Sequence, residues 1–420
     1  MKNTYLIIDL KSFYASVECV ERGLDPMTAN LVVADGARSD KTICLAVSPS
    51  MKKLGVKNRC RVFEIPATIE YIMATPRMRK YIDYAAEIYG IYLRHFSKDD
   101  IFVYSIDEAF IDVTHYLKTY NMTAREMAVY LMEKIYDEVG VRATCGIGTN
   151  LYLAKIALDI TAKHAPDFIG ELNEETFKET LWDHTPLTDF WRIGPGTAKH
   201  LMKYGIYTMR QIAEAPEDLL YRAFGIDAEL MIDHANGIEP VMMKDIKGYR
   251  PRAKSITAGQ VLMSDYPYDK ARIICAEMAD EVVLRLVREK LVTSSITLSF
   301  GYANKYDVDF ERGTVNFGRY TNSSSEIIPK VVDLFDRLMD RSMEIRRFYI
   351  NVNNVIEDPG TMQLSMFDNK GTIHDNRMVQ AVNDIKDKFG KSAIFKGMDL
   401  EEGATALERN RQIGGHKSGE

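Results

Sequence analysis

Three carboxylates, Asp9, Asp107 and Glu108, are the residues whose types and spacing could do chemistry together in this 420-residue chain. Asp107 and Glu108 are adjacent, between Ile101-Phe102-Val103-Tyr104 and Ala109-Phe110-Ile111-Asp112-Val113. Both flanks are rich in the β-branched and aromatic residues that favour strands. Successive side chains of a strand point to opposite faces, so the two acids can share a ligand only where a tight turn joins two strands. Asp9 ends Tyr5-Leu6-Ile7-Ile8, a continuous apolar run of the kind that forms a strand covered on both faces. An acid at the edge of such a strand is costly without compensation. Carboxylates held close repel one another, and a hard divalent cation with oxygen ligands relieves that repulsion. Three acids converging from two strand ends would make a two-cation site able to activate a hydroxyl and stabilise a leaving phosphate. An acidic turn kept for backbone reasons is the plainer alternative for Asp107-Glu108 alone; the third acid argues against it.

The elements that must position these acids follow from periodicity. Phe13, Val17 and Val20 mark a helix after Asp9, and Tyr81, Ala85, Ile88, Tyr92 and Phe96 form the stripe of another. Thr123-Ala124-Arg125-Glu126 is a capping box opening a helix that stops near Gly140. A strand is expected over 142–149, then a helix from Leu151 to Lys163 capped by Asn150. With the hairpin this gives a βαββαβ order, the split ferredoxin-like arrangement. Lys155 and Lys163 lie eight residues apart on the last helix, about 80° around a regular axis at about 100° per residue.

Other segments surround this unit. Leu31-Val32-Val33-Ala34 and Ile43-Cys44-Leu45-Ala46-Val47 read as short strands, and Met51 to Val56 as a helix ending in a glycine cap. From Gly170 to Pro240 the pattern is one of short helices. Within it Ile193-Gly194-Pro195-Gly196-Thr197-Ala198-Lys199 enters a helix through a glycine-rich turn that can aim backbone N–H groups at a phosphate. A basic run follows, with Lys244, Lys247, Arg250, Arg252 and Lys254 opposed only by Asp245. Strands near 256–262, 294–300 and 348–353, alternating with helices at 270–290 and 326–339, form a second α+β unit. After Val355 the pattern dissolves, and Gln363-Leu364-Ser365-Met366-Phe367 places an apolar cluster in a polar tail, as docking peptides do.

Asp9-Leu10-Lys11-Ser12-Phe13-Tyr14-Ala15-Ser16-Val17-Glu18, taken with Ser105-Ile106-Asp107-Glu108-Ala109, strongly resembles the Y-family translesion DNA polymerases, in the bacterial UmuC-like and polymerase IV–V group. The resemblance covers nearly the whole chain. It implies an α+β multidomain protein: a ferredoxin-like palm (1–11 and 79–168), small fingers (12–78) and a helical thumb with a helix-hairpin-helix-like element (169–240). A basic linker (241–253), an α+β little finger (254–355) and a flexible tail (356–420) complete the expected order. It implies that Asp9, Asp107 and Glu108 are catalytic and, with the Leu10 carbonyl, hold two Mg²⁺ ions. Tyr14 would be the steric gate against a ribose 2′-hydroxyl, with Phe13, Lys52 and Lys163 binding the nucleotide. Gly194, Gly196, Lys199, Arg252 and Lys254 would contact DNA. Gln363, Leu364, Met366 and Phe367 would bind the bacterial sliding clamp. Primer-template DNA and deoxynucleoside triphosphates are the implied substrates, and an accessory protein of the SOS response a further implied partner. The chain departs from the family around Val47, Ser48 and Pro49, where an aromatic or basic residue usually holds the triphosphate. Lys52, with Lys53 behind it, matches a basic family position; a phosphate contact and a solvated helix face both remain open for the pair. That departure and the extended tail lean toward the UmuC-like side.

Composition bounds these expectations. The apolar fraction of 46% and charged fraction of 27% are ordinary for a globular protein. No apolar run is long enough to span a bilayer, so a cytoplasmic, nucleoid-associated protein is expected, without a membrane partner. Five scattered cysteines argue against a disulfide framework or a zinc site. A net charge of −6 is awkward for a nucleic-acid enzyme, but clustering matters more than the sum. A catalytically silent DNA- and clamp-binding scaffold is the rival reading, supported by the altered fingers and opposed by three retained acids. A palm that makes a cyclic nucleotide is opposed by the thumb, the basic run and the docking peptide.

Overall fold

In the computed structural model of the chain, Tyr5–Leu10 is the central strand of a five-stranded sheet. The structure describes residues 3–37, 39–251, 254–360 and 371–419. They divide into two compact units, Met1–Tyr249 and Arg250–Ser418.

In the first unit the sheet order is Ile101–Val103, Glu108–Asp112, Tyr5–Leu10, Ala143–Gly148 and Ile169–Leu172. The first four strands are antiparallel and reproduce the ferredoxin-like order expected from βαββαβ. The fifth pairs parallel to Ala143–Gly148, so the stretch read as the start of the thumb belongs to this sheet. Helices Met78–Leu93 and Ala124–Val139 pack together, the latter opened by the Thr123–Glu126 capping box and closed by Gly140 at φ 74°.

The helix after Asn150 lies unusually close to the sheet. A Cβ on Gly146 would sit 2.1 Å from the Ala154 carbonyl, and one on Gly148 2.1 Å from the Ala154 nitrogen. Only glycine permits that approach. The helix runs as Leu151–Ile156 and then as a π-turn, Ala157–Ala162.

The fingers carry a three-stranded sheet, Ala46–Val47, Leu31–Val33 and Ile72–Ala74, around a small core of Val32, Val47, Met51 and Ile65. The parallel strand Ile72–Ala74 was not legible in the sequence, and the helix spans Pro49–Lys53, earlier than expected, because Ser48 caps it. Helices Glu174–Leu181, Pro195–Met202, Met209–Glu214, Glu217–Phe224 and Asp227–Ala235 form the thumb, whose core includes Phe177, Phe190 and Leu201. Part of the expected linker is a helix, Met243–Gly248, whose Met243 joins Tyr5, Ile7 and Phe110 in the palm core.

The second unit has a four-stranded antiparallel sheet in the order Glu311–Thr321, Leu291–Tyr302, Ile345–Glu357 and Lys254–Tyr266. Helices Tyr268–Arg288 and Ser324–Leu338 share its core with Phe300, Phe335 and Phe348. The expectation of a flexible tail is corrected for 371–419. Helix Gly371–Phe389 buries Val379 in this core, and Asp375 accepts from the Ser323 and Ser324 hydroxyls and the Ser325 amide. Further on, the Thr405 and Ala406 amides donate to the buried Glu277 carboxylate. Polar composition hid this order, since the extension is anchored by hydrogen bonds more than by apolar burial.

Candidate active site

The sheet places the three acids together at one end. Asp9 stands directly across the ladder from Glu108, so their side chains share a face. Asp107 ends the connection Tyr104–Asp107, which is closed by the Tyr104 and Ser105 amides donating to the Glu108 carbonyl. The Leu10 amide donates to the Asp107 carbonyl at 2.9 Å, tying the hairpin tip to the end of the central strand. The hairpin read from the sequence is thus formed, with one acid in the turn and the other opening the strand.

Each acid is held by this chain's own groups. The Ser105 hydroxyl donates to Asp107 Oδ1 at 2.6 Å, and the Thr144 hydroxyl to Asp9 Oδ1 at 3.4 Å. Lys155 Nζ donates to Glu108 Oε1 at 2.8 Å and to Asp159 Oδ1 at 3.2 Å. Burial pushes the Asp9 carboxyl up to about 8, and the Glu108 and Asp107 charges add to it. For Lys155, burial works against the charge, but Asp159 and Glu108 outweigh it and raise the ammonium above its usual range.

No three His, Cys, Asp or Glu side chains among the described residues already stand in metal-binding geometry. The donor set nevertheless fits hard divalent cations: carboxylate oxygens crowded until one carboxyl holds its proton. Glu108 and Asp107 would exchange Lys155 and Ser105 for such an ion.

Beside the acids lies a cluster of lysines. Lys11 carries its ammonium 3.9 Å from the Phe168 ring centre. Burial lowers its pKa, and Lys52 and Lys53 lower it further against the pull of Asp9. Lys52 is likewise lowered, by burial and then by Lys163, with Asp9 opposing. The cations are therefore near enough to weaken one another, as they would be where an anion is to be held. Lys52 and Lys163 thus lie near one another, and Lys11, visible in the sequence only as the second residue after Asp9, lies near Lys52. The π-turn explains how Lys163 arrives. An i→i+5 turn takes in one extra residue, so eight residues cover the angle of about seven. The 80° expected between Lys155 and Lys163 shrinks to roughly 20°. Both reach Asp159 at the i,i+4 spacing, Lys163 Nζ at 3.8 Å.

Tyr14 lies at the site's edge. Burial raises its phenol, and the Asp107 charge raises it further. Its ring stacks on Tyr81 with centres 4.4 Å apart and planes 15° apart, while Phe13 is buried and tilted beside it. Val47 and Ser48 are buried; Ser48 Oγ caps the helix and donates to the Ala29 carbonyl, so neither can serve a phosphate.

The remaining expected sites are distributed. Gly194 is the N-cap of helix Pro195–Met202, and both Gly194 and Gly196 face open space where a side chain would stand. Lys199 is exposed on that helix, and Lys254 is exposed at the start of its strand in the second unit. Arg252 and the peptide with Gln363, Leu364, Met366 and Phe367 lie outside the described residues.

Comparison with known proteins decides the family. Residues 8–159 match the impB/mucB/samB family, and residues 253–366 match its C-terminal domain. Over 99% of this chain and 98% of the relative, the sequence is 31% identical to UvrX of Bacillus subtilis, a protein named for UV-damage repair. The chain belongs to the impB/mucB/samB family, the Y-family DNA polymerases. It is also 32% identical to DNA polymerase IV 2 of Bacillus subtilis, covering 98% of both chains. DNA polymerase IV 2 of Halalkalibacterium halodurans is 29% identical over 99% of this chain and all of the relative. Both of these relatives carry the polymerase IV name, whereas the altered fingers and extended tail lean toward the UmuC-like side. A Y-family DNA polymerase chimera of Dbh and Dpo4 shares the fold at a TM-score of 0.63 and 21% identity, covering 84% of this chain and 99% of that one. No helix among the described residues is long and apolar enough to cross a membrane.

Proposed function

We propose that this chain is a template-directed DNA polymerase of the translesion type. The observation that carries the reading is the meeting of Asp9, Asp107 and Glu108 at one sheet end, beside the lysines. Asp9 and Asp107 would hold two Mg²⁺ ions between them, with Glu108 at the primer side and the Leu10 carbonyl as a further ligand. Bound there, the ions would lower the pKa of the primer 3′-hydroxyl and stabilise the pyrophosphate leaving group. Lys11, Lys52 and Lys163 take the triphosphate as point charges. Lys155 keeps Glu108 oriented and covers its charge before substrates arrive. Tyr14 excludes a ribose 2′-hydroxyl, and the small fingers leave room for a damaged template. The turn at Gly194 and Gly196, with Lys199, grips the DNA backbone without reading sequence, helped by Arg252 and Lys254. Residues 363–367 would dock to the sliding clamp; an SOS role and an accessory partner belong to the same proposal.

Primer extension on undamaged and abasic templates with Mg²⁺ tests it, comparing wild type with Asp107→Ala/Glu108→Ala. Extension by the wild type alone is expected. A folded wild type that binds primer-template and never extends it would overturn the polymerase reading in favour of a scaffold.

A further inference from the structure

Glu18 is a fully buried carboxylate that the chemistry above does not use. It lies one helical turn beyond Tyr14 on Phe13–Val20. Arg77 grips it with Nε and Nη2, each at 2.9 Å, and Arg22 adds a second guanidinium contact. The Tyr81 hydroxyl donates to Glu18 Oε1 at 2.8 Å. Burial alone would push the Glu18 carboxyl up, yet the bonds from Arg77, Arg22 and Tyr81 hold it below the usual range.

The far side of this cluster reaches the nucleotide pocket. Tyr81 is wholly buried and stacks face to face on Tyr14. Arg77 is the N-cap residue of helix Met78–Leu93, shortly after the last fingers strand, Ile72–Ala74. One carboxylate thus joins the helix that carries Tyr14 to the segment where the fingers return to the palm. Well-packed apolar side chains would stabilise such a place as well as a buried ion cluster does. What a cluster of directional bonds adds is a fixed ring position.

We propose that Glu18, with Arg77 and Tyr81, sets the position of the Tyr14 ring and thereby the stringency of sugar discrimination. The inference rests on Tyr14 being the gate. Tyr81 cannot turn without breaking its bond to Glu18, and Tyr14 cannot tilt away from the sugar without losing its stacked partner. Glu18, Arg77 and Tyr81 are positioning residues, acting through Tyr14 alone.

Single-nucleotide incorporation tests this, measured as the ratio of kcat/KM for deoxynucleotide to that for ribonucleotide. Tyr81→Phe keeps the ring and removes only the hydroxyl. It should lower the ratio about three- to tenfold, the size of one charge-assisted bond felt through a ring. The change should fall mainly on the KM for ribonucleotide, while deoxynucleotide incorporation stays near wild type. Glu18→Gln should lower the ratio further, and should Glu18→Gln not fold, Tyr81→Phe alone decides. In a Tyr14→Ala background, Tyr81→Phe should add nothing. A lowered ratio in Tyr14→Ala beside an unchanged one in Tyr81→Phe would overturn the positioning role alone. An unchanged ratio in Tyr14→Ala would remove the gate, and this role with it. Equal losses on both sugars in Tyr81→Phe would also overturn it, because a merely structural contact does not separate them.

Discussion

Replacing Asp9 by asparagine isolates the cost of gathering the carboxylates. In the folded protein burial, then the Glu108 and Asp107 charges, raise this carboxyl from 3.8 to about 8. The folded state therefore keeps a proton that the unfolded chain releases. Stability is greatest below the unfolded value and is lost as pH rises toward the folded one. At pH 7 roughly three pH units of that span have been crossed, at ~1.4 kcal/mol each, or about 4 kcal/mol as an upper figure. Asp9 is only partly covered, and water reaching it reduces the expected cost to about 2 kcal/mol. The Asp9→Asn variant keeps the shape without the titration, so the metal-free protein should gain that amount. At ~2–4 °C per kcal/mol for a unit of this size, melting should rise by about 4–8 °C at pH 7. The advantage should shrink toward zero near pH 4. Primer extension should fall on the order of 10²–10³-fold or more, as when a group that stabilises transition-state charge is removed. Thermal melting in chelator at pH 4, 5, 6, 7 and 8, for both proteins, measures the difference. An asparagine variant no more stable at pH 7, or a gain that does not vary with pH, would refute the reasoning.

Other outcomes follow from the same structure. Lys52→Ala and Lys163→Ala should each raise the KM for nucleotide about tenfold with little change in kcat, more at low salt than at high; unaltered KM values in steady-state kinetics would remove the triphosphate role. Gly148→Ala drives a methyl into the Ala154 backbone 2.1 Å away, and should cost about 3 kcal/mol or more in denaturant unfolding. Deleting 363–367 should cut synthesis on clamp-loaded templates while sparing activity on bare primer-template, and equal loss in both assays would refute the docking role.

The palm was legible because its strands are apolar runs ended by acids, and its helices carry caps such as Thr123 and Asn150 that name their own starts. The meeting of Asp9 with Glu108 followed from that order, since a ferredoxin-like sheet puts the N-terminal strand beside the second arm of the hairpin. Elements whose residues say little locally were missed. Glu311–Thr321 alternates with polar residues on an exposed face, and Ile72–Ala74 is too short to show a period. The ordered extension after Gly371 hangs on Asp375 and on the Thr405 amide, contacts that depend on distant partners. Lys11, Lys155 and Glu18 were in view, but spacing cannot tell which carboxylate a lysine will find.

The π-turn at Ala157–Ala162 has a consequence for how this site can vary. Lys155 precedes the irregularity and Lys163 follows it, so the two ends of one helix keep independent registers. Relaxing the turn to a regular helix at unchanged length would swing Lys163 by about 100° and leave Lys155 on Glu108. A change in the winding of the turn at constant length thus acts as a dial on the phosphate side alone, with the carboxylate side untouched. Few substitutions could separate those two functions so cleanly, because a point change alters what a side chain is, whereas this one alters where an unchanged side chain arrives.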